Sequence, residues 1–151
     1  MINRKVFVAL LLLSANPLAA QVFLSPGIKL GYRFGPDGGL VGGFDVSVIH
    51  ATNHGYVGLV AAIDLVQSTL NSHVGFEAGV GPVGICIGPV LSFRDREFDY
   101  GARITPYFGA FLVPFYNFQI MRYFPNGHEI GAYLKIPVTF GGDTPFGSIG
   151  G

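Results

Sequence analysis

Few side chains in this chain are equipped for chemistry, and their spacing limits what they can do. His50, His54, His73 and His128 are scattered, and Cys86 has no second cysteine near it, so no metal-ligand spacing is present. A nucleophilic Cys86 needs a base beside it, and none is evident in the sequence. Gly79-Val80-Gly81-Pro82 lacks the strand-to-helix setting of a phosphate-binding loop. The residues therefore assign no catalytic, cofactor-binding or metal site. What remains is a sparse set of charges. Of those that fall on the polar face of an alternating segment, Lys29, Arg33, Arg94, Arg103 and Lys135 are basic, and Asp45, Asp64 and Glu77 are acidic.

The segments that carry these charges share a period of two, the period of a β-strand with two different faces. They lie at 27–34, 43–48, 57–65, 74–80, 84–94, 100–109, 116–121 and 130–139. In the first, Ile28, Leu30, Tyr32 and Phe34 oppose Gly27, Lys29, Gly31 and Arg33. In the fifth, Ile85, Ile87, Leu91 and Phe93 oppose Gly84, Cys86, Gly88, Ser92 and Arg94. Turn residues separate the runs: Gly35 to Gly39, Thr52 to Gly55, a polar break from Gln67 to Ser72, Gly81-Pro82, the charged stretch 94–97, and Pro125-Asn126-Gly127. The pattern predicts about eight strands of roughly ten residues, with short turns and no helix.

Composition decides which face points outward. Half of the 151 residues are hydrophobic, only 12% are charged, and 23 are glycine. A soluble domain carries about 25% charged residues. Disorder is excluded by the hydrophobicity, and a disulfide scaffold by the single cysteine. Nine basic residues against nine acidic give no reason to expect a nucleic-acid partner. A soluble sandwich or barrel would need many charges outside. An inverted barrel accounts for both faces: the apolar one meets lipid, and the glycine-rich one closes over a narrow polar interior. The fold class expected is all-β, an eight-stranded antiparallel up-and-down transmembrane β-barrel. Lys29, Arg33, Asp45, Asp64, Glu77, Arg94, Arg103 and Lys135 form its interior polar network, paired across strands because a lone buried charge is costly.

Residues 1–20 read as a secretory signal peptide. Arg4 and Lys5 precede the apolar run from Val6 to Leu13, which is too short to span a bilayer. Cleavage is expected near Ala20–Gln21, leaving seven basic and nine acidic residues. Residues 21–140 make up the barrel, and 141–151 form a glycine-rich tail.

This pattern resembles the small eight-stranded outer-membrane β-barrel proteins of Gram-negative bacteria, across about residues 22 to 140. Glu129-Ile130-Gly131-Ala132-Tyr133-Leu134-Lys135-Ile136 looks like the terminal-strand signal of such barrels, with Phe140 as its aromatic end. Tyr32, Phe34, Phe93, Phe98, Tyr100, Phe115, Tyr116, Tyr123 and Phe124 are placed like interfacial girdles. The resemblance implies a bacterial outer-membrane location, with outer-membrane lipids and the barrel-assembly machinery as partners. It also implies a monomer, no cofactor, and a structural or membrane-integrity role without catalysis. The first residues would face the periplasm, and the short loops near 35–39, 67–72, 94–97 and 123–128 would face outward.

A smaller local resemblance concerns activity. His50-Ala51-Thr52-Asn53, with Asp64 downstream, is similar to the His-x-Ser-Asn motif of outer-membrane lipid A 3-O-deacylases. It implies His50 as base, Thr52 as nucleophile and Asp64 as the residue that orients the base. Threonine stands for serine and aspartate for glutamate. Alternation puts Asp64 inside and His50 outside, so a hairpin turn is expected there, with Asn and Gly supplying positive φ. The two faces also allow a narrow pore, if the interior is continuous, and a soluble lipid-binding barrel, if the apolar face points inward.

Overall fold

The computed structural model describes residues 21–139. The signal-peptide segment, the tail and Phe140 lie outside them. Nine strands follow in order: β1 Gln21–Phe34, β2 Gly39–Thr52, β3 Gly55–Val66, β4 Thr69–Val80, β5 Val83–Arg94, β6 Glu97–Phe108, β7 Leu112–Met121, β8 Gly127–Lys135 and β9 Val138–Thr139. Each of the first seven pairs antiparallel with the next, and β1 pairs with both β2 and β8, which closes the sheet. The two-residue β9 continues the line of β8 along β1. The architecture is an all-β, eight-stranded up-and-down barrel, with no helix among the described residues.

Strand register gives the barrel its dimensions. From Gln21 the hydrogen-bonded partners run through Ala51, Tyr56, Gly79, Gly84, Tyr107, Phe115 and Gly131 to Gly31, ten residues further along β1. With strands ~4.8 Å apart and ~3.3 Å per residue, that stagger tilts them about 40° from the barrel axis. The wall is then about 16 Å across between backbones. A twelve-residue strand such as β3 climbs about 30 Å of axis.

The loops are short because the strands run further than the alternation alone predicts. β1 begins at Gln21 rather than near residue 27. The polar stretch from Gln67 to Ser72 is a turn only at 67–68, and Thr69 to Ser72 lie in β4. A polar interior makes such residues good strand members, so polarity there does not mark a loop. Asp95 and Arg96 both take left-handed φ, 49° and 71°, as a type I′ hairpin turn requires. The turn after Thr52 works differently from the expectation, because Asn53 is not among the residues with positive φ. Thr52 Oγ1 accepts the His54 N–H at 3.3 Å and donates to the Gly55 carbonyl at 3.1 Å.

The two faces separate cleanly. Among the described residues thirty-four large hydrophobic ones are exposed, including Phe44 at 70%, Leu30 at 68% and Leu59 at 62%. Ile28 and Phe76 also face outward, and Ile104 is half-buried. No Asp, Glu, Lys or Arg of the described strands has outward parity; Glu97, which pairs with Arg94, is exposed because it lies at the rim. The buried set among the described residues is mostly polar, with seventeen polar or charged residues against eleven apolar ones. That is the reverse of a soluble core.

Aromatic residues gather at the rim that carries turns 35–38, 95–96 and 122–126. Tyr32 meets Phe34 with ring centroids 5.3 Å apart, and Phe93 meets Phe98 at 5.2 Å. Phe115 departs from the girdle expectation. It shares the inward parity of Asn117 and stacks on Tyr133 inside the barrel, with centroids 4.5 Å apart.

Candidate functional site

The interior has two storeys. The first, toward the aromatic rim, is a cluster of charges crossing the lumen. Asp64 on β3 accepts from Lys29 Nζ at 3.0 Å, Arg103 Nη1 at 2.7 Å and Asn71 Nδ2 at 2.8 Å. Arg33 Nη2 lies 3.7 Å from the same carboxylate. Glu129 on β8 receives Lys29 Nζ at 2.7 Å, Arg33 Nη2 at 3.3 Å and Asn117 Nδ2 at 3.1 Å. Gln119 Oε1 bridges Arg33 and Arg103, accepting from them at 3.3 Å and 3.1 Å. Gln119 Nε2 also donates to Ser92 Oγ at 3.3 Å, and Ser92 Oγ donates to Asn71 Oδ1 at 2.6 Å. Seven of the eight long strands, all but β2, supply a member.

Three cations face two carboxylates in this storey, and amide and hydroxyl groups complete the bonding. Buried charges persist only when paired and hydrogen-bonded on their remaining sides. Here nearly all are. The exception is Arg103 Nε, which has no partner among the described residues. The network crosses the lumen, its members meeting across the barrel axis from opposite walls.

Of the eight charges expected in one network, Lys29, Arg33, Asp64 and Arg103 meet here. Asp45 and Lys135 form a separate pair at 2.7 Å nearer the opposite end. Glu77 is buried apart from both groups. Arg94 has inward parity but sits at the mouth, bridged to Asp37 at 2.5 Å and stacked 4.5 Å over Phe124. At that level the lumen ends, so its guanidinium reaches the turn. Glu129, Asn71, Asn117 and Gln119 are the network members missing from the set expected from sequence, Glu129 because the predicted eighth segment begins one residue later and the other three because they carry no charge. Inward parity was the available signal for all four.

Asp99 finishes the same rim. Its carboxylate accepts the backbone N–H groups of Tyr100, Tyr123 and Phe124 at 2.8, 2.9 and 2.7 Å. This ties the 122–126 loop down over the charge cluster.

The second storey is a cavity of about 260 Å³ opening at the other end, between the turns at 81–82 and 109–111. Phe23, Ile49, Val60 and Val113 give it apolar walls. Glu77 Oε2 accepts from Tyr107 OH at 3.0 Å, and Tyr56 OH donates to Tyr107 OH at 3.0 Å. Tyr56 and Tyr107 lie in space left by Gly79 and Gly84. A Cβ at either glycine would collide with a tyrosine ring or hydroxyl. Lys135 Nζ donates to Ser47 Oγ at 2.8 Å and pairs with Asp45 Oδ2.

Cys86 and His73 also line this cavity, and they touch. His73 Nδ1 lies 2.9 Å from the carbonyl of Pro89, which can only accept, so Nδ1 carries the proton. That leaves the Nε2 lone pair 3.6 Å from Cys86 Sγ. The base that the sequence did not reveal is therefore beside the thiol. It arrives because the β4–β5 ladder skips from His73↔Val90 to Phe76↔Ile87 around Pro89, and because Gly75 leaves room where the two side chains meet. The His is held by a backbone carbonyl rather than an acid.

His50, Thr52 and Asp64 do not come together. His50 and Thr52 are exposed on β2, while Asp64 is 1% exposed inside the barrel. His50 pairs with Val57, seven residues along β3 from Asp64, a separation of about 23 Å. Among the described residues, no group of three or more His, Cys, Asp or Glu is arranged to hold a metal ion.

No family model and no curated protein matches the chain. A solved structure from the de novo design of transmembrane β-barrels is similar at 11% identity and a TM-score of 0.44, covering 76% of this chain and 95% of the designed one.

Proposed function

We propose that this chain is a transmembrane β-barrel of a Gram-negative outer membrane, serving a structural or membrane-integrity role without catalysis. Its signal peptide is removed, and it is inserted by the barrel-assembly machinery as a monomer. The observation that carries the reading is the outer wall. Large apolar side chains cover it and no strand charge interrupts it short of the rim, while the charged residues of the strands are folded inside or held at the mouth. In water such a wall would far exceed the few hundred Å² of contiguous apolar surface that monomeric soluble proteins expose. In lipid it is the surface required, and the ~30 Å strand climb exceeds the ~25 Å apolar band of known transmembrane barrels.

The interior supports a blocked barrel over a pore. The Asp64–Glu129 cluster spans the lumen, and Arg94 and the 122–126 loop cap it. Fractionation of expressing cells tests the location, followed by gel mobility of detergent-extracted protein with and without boiling. Outer-membrane recovery with heat-dependent mobility is expected. Recovery in the soluble fraction would overturn the reading. In planar bilayers the purified barrel should give no discrete conductance steps. Regular steps would replace the structural role with a channel.

A further inference from the structure

The second storey has the features of a ligand site, whatever covers the outer wall. It holds about 260 Å³, room for roughly nine water-sized groups at ~30 Å³ each. It reaches solvent at one end, and its walls are mainly apolar with a few polar groups placed among them, the usual make-up of a small-molecule pocket. Two of those polar groups are unsatisfied. Asp45 Oδ1 and Glu77 Oε1 have no hydrogen-bond partner among the described residues, although Asp45 is only 5% exposed and Glu77 only 2%. A carboxylate oxygen accepts only, so each calls for a donor. The charge is also uneven. Asp45 is matched by Lys135, whereas Glu77 has no cation within salt-bridge distance among the described residues. The cavity therefore carries one negative charge in excess. The storey above carries one positive charge in excess and shares none of its cations with Glu77.

We propose that this cavity binds a small organic cation, a primary ammonium attached to an apolar body. The ammonium pairs with the Glu77 carboxylate, a side chain that lines the cavity, and supplies the positive charge it lacks. The apolar body packs between Phe23, Ile49 and Val60, beside the rings of Tyr107 and Tyr133 that also line the cavity. An anion is disfavoured by the charge excess, and a neutral alcohol satisfies an acceptor but leaves the charge unmatched.

The test uses three probes of similar shape: 2-phenylethylammonium, 2-phenylethanol and 3-phenylpropionate. Each is titrated calorimetrically onto the purified full chain in nonionic detergent, with unboiled gel mobility verifying the folded barrel. The ammonium should bind saturably at one site, at least tenfold more tightly than the other two. Glu77→Gln should bring the ammonium down to the level of the alcohol, because hydrogen bonds to charged partners are about twice as strong as neutral ones. Val60→Trp, which fills the cavity, should abolish saturable binding of all three and so separates cavity binding from partition into detergent. No saturable binding by the folded wild type would overturn the proposal. So would equal affinity for the three probes, or a cation preference that survives Glu77→Gln.

Discussion

Replacing Asp64 by asparagine should be among the most damaging single substitutions in this barrel that leave side-chain shape intact. Asp64 is 1% exposed, and its two oxygens take hydrogen bonds from Lys29, Arg103 and Asn71, with Arg33 also within salt-bridge distance. In Asp64→Asn one oxygen becomes an N–H₂ donor facing other donors. Three cations are left around Glu129 alone, and the net charge of the cluster rises from +1 to +2. A buried ion cluster is not in itself strong evidence of stability, since its assembly costs desolvation. Removing one partner is different, because the others stay buried without compensation, at about 3–5 kcal/mol. That is a large part of the 5–15 kcal/mol typical of whole domains. The assay is urea unfolding of the refolded protein, scored as the fraction of unboiled protein with folded gel mobility. Arg103→Gln provides the second arm, and the double variant should lose less than the sum of the singles by about 1–3 kcal/mol. A cost below about 1 kcal/mol for Asp64→Asn, or strict additivity with Arg103→Gln, would refute the cluster as described.

Three further outcomes are expected. Leu30→Arg and Leu59→Arg, both exposed on the wall, should each cost about 2–4 kcal/mol of stability in bilayers near the midplane, measured by the same unfolding assay in vesicles. Gly131→Ala should destabilise by about 1–3 kcal/mol, because its Cβ would collide with the Leu30 carbonyl oxygen, whereas Gly42→Ala, with nothing within 4 Å, should be neutral or mildly stabilising. Asp99→Ala should release the 122–126 loop by removing the acceptor of three backbone N–H groups. Faster proteolytic cleavage within that loop, with the unboiled barrel mobility kept, is the expected readout.

The wall was legible in the sequence because alternation is a local property. The parity that sets Leu30 against Lys29, or Ile63 against Asp64, needs no knowledge of what lies across the barrel. The interior was legible only as a sign pattern. Which charges meet depends on the stagger of ten residues, a closure property that no single strand carries. That stagger sends Asp45 to Lys135 and Asp64 to Lys29 and Arg103. Asn71 looked like part of a loop because polar runs mark loops when the core is apolar, and this core is not. Phe115 looked like a girdle residue by its place near a strand end, although parity with Asn117 already set it inside. His73 and Cys86 share inward parity, yet their approach turns on Gly75 and on the ladder break at Pro89. Arg94 obeyed parity but lay beyond the end of the lumen.

The central claim is that the outward face meets lipid, and the absence of tryptophan from the chain gives it a clean test. Leu59→Trp places a fluorophore on the wall, and Val60→Trp places one on the opposite face one residue away. Each variant is reconstituted in vesicles whose acyl chains carry bromine, a contact quencher of tryptophan fluorescence. Strong quenching of the Leu59→Trp variant, with little quenching of the Val60→Trp variant, is the predicted result. Quenching of Val60→Trp with Leu59→Trp unaffected, or of neither, would contradict a barrel whose apolar wall faces the membrane.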